Sequence, residues 1–458
     1  MGTARDSDQT DSTCVRRFLR GGGQNATVGY QFTHRPANLD TLTASLRSFG
    51  DRFPEPLSFY TSDFAKAFKQ VPGVEALLGM SVVVQWDPVQ RKPAYMVPYT
   101  QVFGGRSTPL NFARYPAWCC YALAVLGAFP AEHCVDDMIG AERLTTMHSG
   151  WKLWRLFADL CGWRVPDAKS PAPSQLGVAL GAEFDLRPFP ACSIIVRLTD
   201  QRIETIIDIL NNVLEKGSLG SGLAGQLWGK LQHACSMLWG RFGICKLRPF
   251  SRRQHEQRTA LNPQLRSSIL WWLKALRANA FPREVPLSLT GMKTVVSYSD
   301  GEGGDAGVGV AIWADDLDHP LAAFRRIPRE VRLYWSSGQR GAERNDIFEI
   351  EAIGPLMILA TWPRIMQGRL WVHYIDNAAA QAAFVKGSSS VMSGDILIGH
   401  AWELIARRRL LPWIDRVDSE SNPVDGLSRG RMDGPWQQVE EALLPAQLLR
   451  ELRQGHFG

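Results

Sequence analysis

The sequence feature that most constrains this chain is an adjacent pair of acids in the tetrapeptide Cys134-Val135-Asp136-Asp137. A third acid, Asp63, lies where a predicted strand gives way to a helix. A carboxylate pair on a turn and a carboxylate on a neighbouring strand supply the hard oxygen ligands that two divalent metal ions need. Metal ions held on rigid strands can clamp the attacking and leaving oxygens of a phosphoryl transfer. The pattern therefore predicts a phosphoryl-transfer site with Asp63, Asp136 and Asp137 as metal ligands.

A second set of acids lies further along the chain. Asp300 and Asp376 each end a predicted strand, Glu349 opens a predicted helix, and Asp425 follows near the end. Glu351, two residues after Glu349, is the alternative to it. Acids that converge from several elements can hold two metal ions and activate water against a phosphodiester. Two separate acidic sets thus predict two phosphate-ester chemistries in one chain.

Length and composition set the broad class of protein. A chain of 458 residues is expected to hold two or three domains, and an apolar fraction of 45% lets each bury a core. The eight cysteines are scattered without a C-x-x-C pair, which predicts reduced thiols and an intracellular location, in either cytoplasm or nucleus. The longest apolar stretch, residues 117–129, is too short to span a bilayer, and no signal peptide is evident, so no membrane partner is expected.

Positive charge is concentrated between Arg241 and Arg283. This stretch holds ten basic residues and a single acid, Glu256, whereas the whole chain has a net charge of only +6. Aromatic residues are interleaved with the cations, a combination that suits a nucleic-acid backbone and its bases. The nucleic-acid contacts predicted here are Arg248, Arg252, Arg253 and Arg258. The alternative is a solvated helix face beside a tryptophan-rich core.

The order of motifs in the first part of the chain resembles that of a reverse transcriptase. Asp63 with Phe68 is similar to the first palm motif, and residues 102–112 are similar to the second. The tetrapeptide at 134–137 resembles the Tyr-x-Asp-Asp box, with a cysteine in place of the aromatic. The resemblance implies that Asp63, Asp136 and Asp137 are catalytic. It also implies substrate contacts by Phe68, which would exclude a ribose 2′-OH, and by Phe103, Gly104 and Lys169.

The C-terminal part resembles an RNase H domain, and the whole is similar to retrotransposon polyproteins of the DIRS-like, tyrosine-recombinase group. The resemblance implies catalytic and metal-binding roles for Asp300, Glu349, Asp376 and Asp425. Glu349 is preferred over Glu351 because the family places its acid three residues before a small residue, here Ala352.

The resemblance implies an α+β polymerase palm and fingers with a helical thumb-connection, followed by an α/β RNase H-like domain. The predicted divisions are a poorly ordered region with partial fingers (1–50), fingers and palm (51–195), a basic thumb-connection (196–290), the RNase H-like domain (291–435) and a tail (436–458).

The implied function is RNA-directed DNA synthesis with RNase H cleavage of RNA–DNA hybrids, using Mg²⁺ or Mn²⁺. The implied partners are an RNA template, a DNA primer, the RNA–DNA hybrid, deoxynucleoside triphosphates and other domains of a polyprotein. Two alternatives remain open at this point. One is a catalytically inert nucleic-acid-binding remnant, and the other is an RNase H-fold nuclease with an inactive palm.

Overall fold

The computed structural model describes most of the chain as two compact units. The described residues are 37–53, 55–73, 75, 82–101, 108–128, 130–188, 193–286, 288–337, 346–432, 434–445 and 448. The first unit comprises Met1–Ile195 with Val285–Ser288, and the second comprises Val196–Glu284 with Leu289–Gly458. The predicted substrate contacts Phe103 and Gly104 lie outside the described residues.

The first unit mixes helices with short antiparallel strands. In chain order its elements are α1 (Leu39–Arg52), β1 (Leu57–Asp63), β2 (Val83–Asp87), β3 (Lys92–Met96), α2 (Thr108–Gly127), β4 (Ala131–Cys134), β5 (Asp137–Arg143), α3 (Met147–Leu160), β6 (Leu176–Ala179) and β7 (Ala182–Asp185). Strand β8 (Ser193–Leu198) follows where the chain passes to the second unit. The central sheet has the order β1-β5-β4, with both pairings antiparallel.

A cluster of aromatic rings anchors this sheet to its helices. Phe64, directly after β1, is buried and meets Phe112 of α2 and Trp154 of α3 edge to face, at centroid distances of 5.6 and 5.7 Å. Such aromatic pairs add to the free energy gained by burying the rings themselves. The carboxyl end of β1, where Asp63 lies, is therefore held by a packed core directly beneath it.

Helix α1 lies within the segment that was predicted to be poorly ordered. Its start is a reciprocal cap: the Asn38 side chain accepts hydrogen bonds from the Asp40 and Thr41 amides, and the Thr41 hydroxyl accepts one from the Asn38 amide. Leu42 and Leu46 are buried on one face of the helix. The prediction of a loose segment over 1–50 is therefore wrong for residues 39–50, because a cap and an apolar face stabilise the helix there.

The second unit contains a helical segment and a mixed sheet. Its helical elements are α4 (Asp200–Lys216), α5 (Ser221–Ser236), α6 (Arg248–Arg253) and α7 (Pro263–Arg277). Strand β9 (Arg283–Pro286) follows where the chain crosses between the units. The remaining elements are β10 (Thr294–Gly301), β11 (Gly307–Ala314), β12 (Leu321–Arg326), α8 (Arg329–Ser337), α9 (Ile347–Thr361), β13 (Leu370–Ile375), α10 (Ala378–Lys386), α11 (Met392–Arg407), β14 (Leu411–Arg416), α12 (Asp425–Ser428) and β15 (Val439–Glu441).

The sheet of the second unit has the order β14-β13-β10-β11-β12-β15. Strands β10, β13 and β14 run parallel, whereas β10, β11 and β12 form an antiparallel meander. The carboxyl ends of β10 and β13 consequently meet at one edge of the sheet. Because β15 pairs with β12 and Trp436 packs into the core beneath it, residues 436–441 belong to this domain and not to the predicted tail.

The division into units differs from the predicted domains in two further ways. Val285–Ser288, within the predicted thumb-connection, belong to the first unit. The helical segment and the mixed sheet form one compact unit, although a boundary was placed between 290 and 291. Ion pairs join the two parts: Arg248 contacts Asp395 of α11 at 2.8 Å, and Arg409 contacts Glu284 at 3.3 Å. The fold is mixed α/β with a mixed sheet.

Helix α9 packs so closely on the sheet that one of its positions requires glycine. A Cβ on Gly354 would lie 2.5 Å from the Cβ of Ser299 on β10. We expect Gly354→Ala to destabilise the second unit by about 1–3 kcal/mol through overpacking. The matched control is Gly229→Ala on α5, where nothing lies within 4 Å, and there the gain in helix propensity should stabilise by about 0.5–1 kcal/mol. Urea unfolding of both variants measures the change in the free energy of unfolding, which should fall for Gly354→Ala and rise for Gly229→Ala. Equal changes in the two variants would contradict the close packing of α9 on β10.

Candidate functional site

The first carboxylate cluster consists of Asp63, Asp136 and Asp137. Asp63 ends β1 and is the register partner of Asp137, which begins β5. Asp136 lies in the tight turn between β4 and β5, where Val135 adopts a left-handed φ of 56°. The backbone carbonyl of Asp136 accepts a hydrogen bond of 3.3 Å from the Phe64 amide. The hairpin therefore brings both acids of the turn to the end of β1, as the sequence predicted.

Lys169 reaches this cluster through a neighbouring loop. The Ser170 hydroxyl forms a buried hydrogen bond of 2.7 Å with the Ser62 hydroxyl, which ties the loop to β1. The Lys169 ammonium group then contacts Asp63 Oδ2 in an ion pair. The other carboxylate oxygen of Asp63, Oδ1, is buried and has no hydrogen-bond partner among the described residues.

The charges of this cluster oppose one another. Burial, together with the charges of Asp136 and Asp63, raises the pKa of Asp137 to about 6. Burial and the neighbouring Asp63 also raise the pKa of Asp136. Burial and the charges of Asp137 and Asp136 raise the pKa of the Cys134 thiol. The thiol therefore stays protonated and uncharged beside the cluster. Additional positive charge near these carboxylates would relieve the repulsion.

Phe68 is half-buried and follows Asp63 by five residues in the chain. It belongs to a short 3₁₀ segment, Ala67–Gln70, and its ring meets the buried ring of Phe112 edge to face at 5.4 Å. That contact holds the ring in place, as the predicted exclusion of a 2′-OH requires. The role itself remains a prediction.

The second carboxylate cluster consists of Asp300, Glu351 and Asp376. A carboxylate oxygen from each lies within 4.8 Å of the others. Asp300 is on β10, Glu351 is on α9, and Asp376 directly follows β13. Burial and the neighbouring charges raise the pKa of Asp300 to about 7 and that of Glu351 to about 10. This is the edge of the sheet where the parallel strands end.

Glu349, which the sequence reasoning preferred, is not in this cluster. It is buried on the same helix, and its carboxylate accepts a hydrogen bond of 2.6 Å from the Ser393 hydroxyl of α11. Residues two apart on a helix point in different directions, so only one of Glu349 and Glu351 can face β10. The preference for Glu349 is corrected: the alternative, Glu351, occupies the position beside Asp300 and Asp376.

Asp425 lies at the start of α12 beside this cluster. Its charge and that of Asp376 contribute to the raised pKa of Asp300. Its own carboxylate forms ion pairs with Arg429 at 2.7 Å and Arg431 at 3.5 Å. Asp425 is thus near the three clustered acids but is neutralised by two arginines.

A buried polar network beneath the second cluster was not predicted. His373 of β13 is completely buried, with its two ring nitrogens 2.8 Å from the Ser297 hydroxyl and 3.2 Å from the Ser299 hydroxyl. The Trp371 indole donates to Ser297 at 2.7 Å. Burial lowers the pKa of His373 to about 3, so the ring is neutral. Only the alternation of small polar and apolar residues along β10 could have indicated it.

The second cluster fits a divalent metal ion. Glu351 Oε2 and Asp376 Oδ1 are buried, and no described residue forms a hydrogen bond with either oxygen. All of the available donors are carboxylate oxygens, which is the set that Mg²⁺ and Mn²⁺ prefer. Asp63 Oδ1 offers a similar unpartnered oxygen in the first cluster.

The predicted nucleic-acid contacts divide into two groups. The side chain of Arg253 is only 2% exposed and donates to the Arg258 and Ala260 carbonyls at 2.5 and 2.9 Å. Arg248 is held by Asp395. Their predicted role in nucleic-acid binding is wrong for Arg253 because a buried guanidinium is committed to its carbonyl partners. Arg252 and Arg258 are exposed.

Comparisons with known proteins give a coarse likeness. No family model matches the chain, and no curated protein matches it. Among solved structures it is similar to foamy viral protease-reverse transcriptases. One, the dRH form with double-stranded DNA, is 14% identical with a TM-score of 0.44, and the match covers 85% of this chain and 61% of that one. A second structure, with double-stranded DNA, is 12% identical with a TM-score of 0.43, and the match covers 85% of this chain and 72% of that one.

A third structure, with an RNA/DNA hybrid, is 12% identical with a TM-score of 0.41, and the match covers 85% of this chain and 47% of that one. This chain thus spans about 61% of the length of the first of these structures. TM-scores below 0.5 do not support a functional assignment, which has to come from the two carboxylate clusters. Within the described residues, no helix has the length and apolarity needed to cross a bilayer.

Metal binding distinguishes Glu351 from Glu349. We expect Mn²⁺ to slow amide hydrogen exchange in β10 and β13 of the unaltered chain and of Glu349→Gln, but not of Glu351→Gln. At a metal concentration of 100 Kd the stabilisation should be about 2.7 kcal/mol. Exchange measured with Mn²⁺ and with EDTA gives the comparison. Equal protection in the two variants would remove Glu351 from the metal site.

Without metal, the second cluster should make stability fall as pH rises. In the unfolded chain an aspartate loses its proton near pH 4, whereas in the folded chain the pKa of Asp300 is raised to about 7. Between about pH 4 and 7 the unfolded state therefore releases protons that the folded state retains, and unfolding becomes easier. Urea unfolding in EDTA should show this slope, and Asp300→Asn should reduce it. An unchanged slope in Asp300→Asn would assign the pH dependence to other groups.

Proposed function

We propose that this chain is an RNA-directed DNA polymerase that also cleaves the RNA strand of RNA–DNA hybrids. The observation that carries the proposal is the presence of two carboxylate clusters, each at the strand ends of its own sheet and each containing a buried, unpartnered oxygen. Phosphodiester synthesis and phosphodiester hydrolysis each need such a site. The sequence motifs around both clusters support the same assignment.

In the proposed polymerase site, Asp63, Asp136 and Asp137 would hold Mg²⁺ or Mn²⁺. The bound metal would supply positive charge at the attacking and leaving oxygens. Lys169, which contacts Asp63, would meet the phosphates of a deoxynucleoside triphosphate. Phe68, held against Phe112, would exclude the 2′-OH of a ribonucleotide. Phe103 and Gly104 keep their predicted contact with the nucleotide as part of the proposal.

In the proposed ribonuclease site, Asp300, Glu351 and Asp376 would hold the metal, with Asp425 beside them. The sheet order with three parallel strands and an antiparallel meander is the arrangement expected of an RNase H-like domain. The substrate would be the RNA strand of a hybrid. The exposed Arg252 and Arg258 remain available to the phosphate backbone of a template and primer.

The motifs also support an origin in a retrotransposon polyprotein of the DIRS-like group, with other domains of that polyprotein as partners. A second function is favoured by one observation. Among the described residues, only the second cluster brings three acids within 4.8 Å of one another. In the first cluster, an ion pair with Lys169 already occupies Asp63 Oδ2. A ribonuclease with an inactive palm is therefore the second candidate.

Separate substitutions test both functions. Asp137→Asn removes a metal-binding charge from the first cluster and should lower primer extension by at least about a hundredfold while hybrid cleavage persists. Asp376→Asn should do the reverse. The measurement is extension and cleavage of labelled RNA–DNA hybrids by the purified chain with Mg²⁺ and with Mn²⁺. Cleavage without extension in the unaltered chain would favour the second candidate, and the absence of both activities would overturn the proposal.

A further inference from the structure

A cavity of about 140 Å³ lies within the second unit, between the segment around Phe242 to Arg252 and helices α7 and α11. A protein cavity of roughly 150 Å³ admits benzene. The enclosed space therefore suits one six-membered ring, and because the cavity is partly open to solvent, the rest of a larger ligand can lie at its mouth. None of the seven predicted metal-binding acids lines it.

One wall of the cavity is aromatic. Trp271 and Phe242 lie with their ring centroids 5.0 Å apart. Gly243 lies next to them in a left-handed conformation with a φ of 87°, and a Cβ there would come within 3.3 Å of the indoles of Trp271 and Trp272. Glycine thus lets the chain lie close against the indoles. Trp271 and Phe242 both line the cavity, so a flat ring that entered it would meet aromatic side chains.

The charged side chains around the cavity leave a surplus of cations. Arg248 is paired with Asp395 at 2.8 Å, and Glu403 accepts hydrogen bonds from Arg407. The remaining two, Lys246 and Arg252, line the cavity, and neither side chain has an ion pair or hydrogen bond in the described part of the chain. Two unpaired cations beside a small cavity favour an anionic ligand.

The cavity also offers a polar edge to a ring. Within the described part of the chain, the Gln264 amide donates only to the Met392 sulfur, at 3.7 Å. A thioether is a weak acceptor, so this amide can exchange it for a carbonyl or ring nitrogen at little cost. Ser268, buried on the same helix, adds a hydroxyl. A ligand with a flat ring, polar ring edges and a negative charge matches all three features.

We infer that this cavity binds a pyrimidine nucleotide, with its ring on Trp271, its ring edge at Gln264 and its phosphate on Lys246 and Arg252. The nucleotide can be free or can belong to a single strand, since both present the same ring and phosphate. The inference stands on the cavity and does not depend on catalysis at either carboxylate cluster.

Binding to the full chain in EDTA tests the inference, because neither cluster then holds metal. The probes are uridine 5′-monophosphate, a short single-stranded oligouridylate and ribose 5-phosphate. Calorimetry measures the binding affinity of the full chain for each probe. Trp271→Ala should weaken binding by about tenfold or more, whereas Trp271→Phe should keep most of it because a stacking ring remains. The double change Lys246→Ala, Arg252→Ala should also weaken binding. Arg266→Ala is the matched control, an exposed cation on α7 outside the cavity.

The two sources of nucleotide give different results. Binding of the monophosphate that depends on Trp271 supports a free ligand, and binding of the oligonucleotide alone with the same dependence supports a nucleotide within a strand. Three results would overturn the inference: no binding of either probe, ribose 5-phosphate binding as tightly as the monophosphate, or equal binding by all variants. Loss of extension or cleavage activity in other experiments would leave these outcomes unaffected.

Discussion

The repulsion among buried carboxylates is the constraint around which both units are arranged. Asp300, Glu351 and Asp376 bring their oxygens within 4.8 Å at a largely buried sheet edge, where burial and the neighbouring acids raise the pKa of both Asp300 and Glu351. No local preference of the chain would gather them there. The surrounding packing has to impose the arrangement, and the close approach of α9 to β10 at Gly354 is where it does so. Much of the core of the second unit can thus be understood as support for an arrangement that is unfavourable without metal.

The polar network beneath the cluster shows how that support is made rigid. His373 sits between the Ser297 and Ser299 hydroxyls, and the Asn422 amide donates to the Ser299 carbonyl at 3.1 Å. Each of these groups is buried, and each has a partner, so none adds the cost of an unsatisfied polar atom. A satisfied network has one favourable arrangement, whereas an apolar core tolerates several. The strand that carries Asp300 is therefore fixed on the side facing away from solvent.

The sequence predicts the strand-end acids better than it predicts their neighbours. Asp63, Asp300 and Asp376 follow apolar strand patterns, and a strand end in a sheet has few possible positions. Glu349 and Glu351 lie on α9, which is buried on every side and has no polar face to show its orientation. The burial of Arg253 could not be predicted from the sequence either. Its partners are the backbone carbonyls of Arg258 and Ala260, which reach the guanidinium only because the chain turns there. Local pattern determines the element, but packing determines which side chain faces the site.

The two clusters differ in how their charge is balanced, and this difference bears on how each would use metal. In the first, Lys169 forms an ion pair with Asp63, and the pKa of Asp137 rises only to about 6, so the Asp137 carboxyl group is mostly ionised near neutral pH. In the second, the pKa of Glu351 rises to about 10, so this acid retains its proton until a cation replaces it. Metal binding must then displace a proton, which makes the affinity of the second cluster more dependent on pH than that of the first. Burial is the first cause of that asymmetry, because it is the largest contribution to both raised pKa values. Lys169 adds to it by lowering the pKa of Asp137, a contribution that Glu351 lacks.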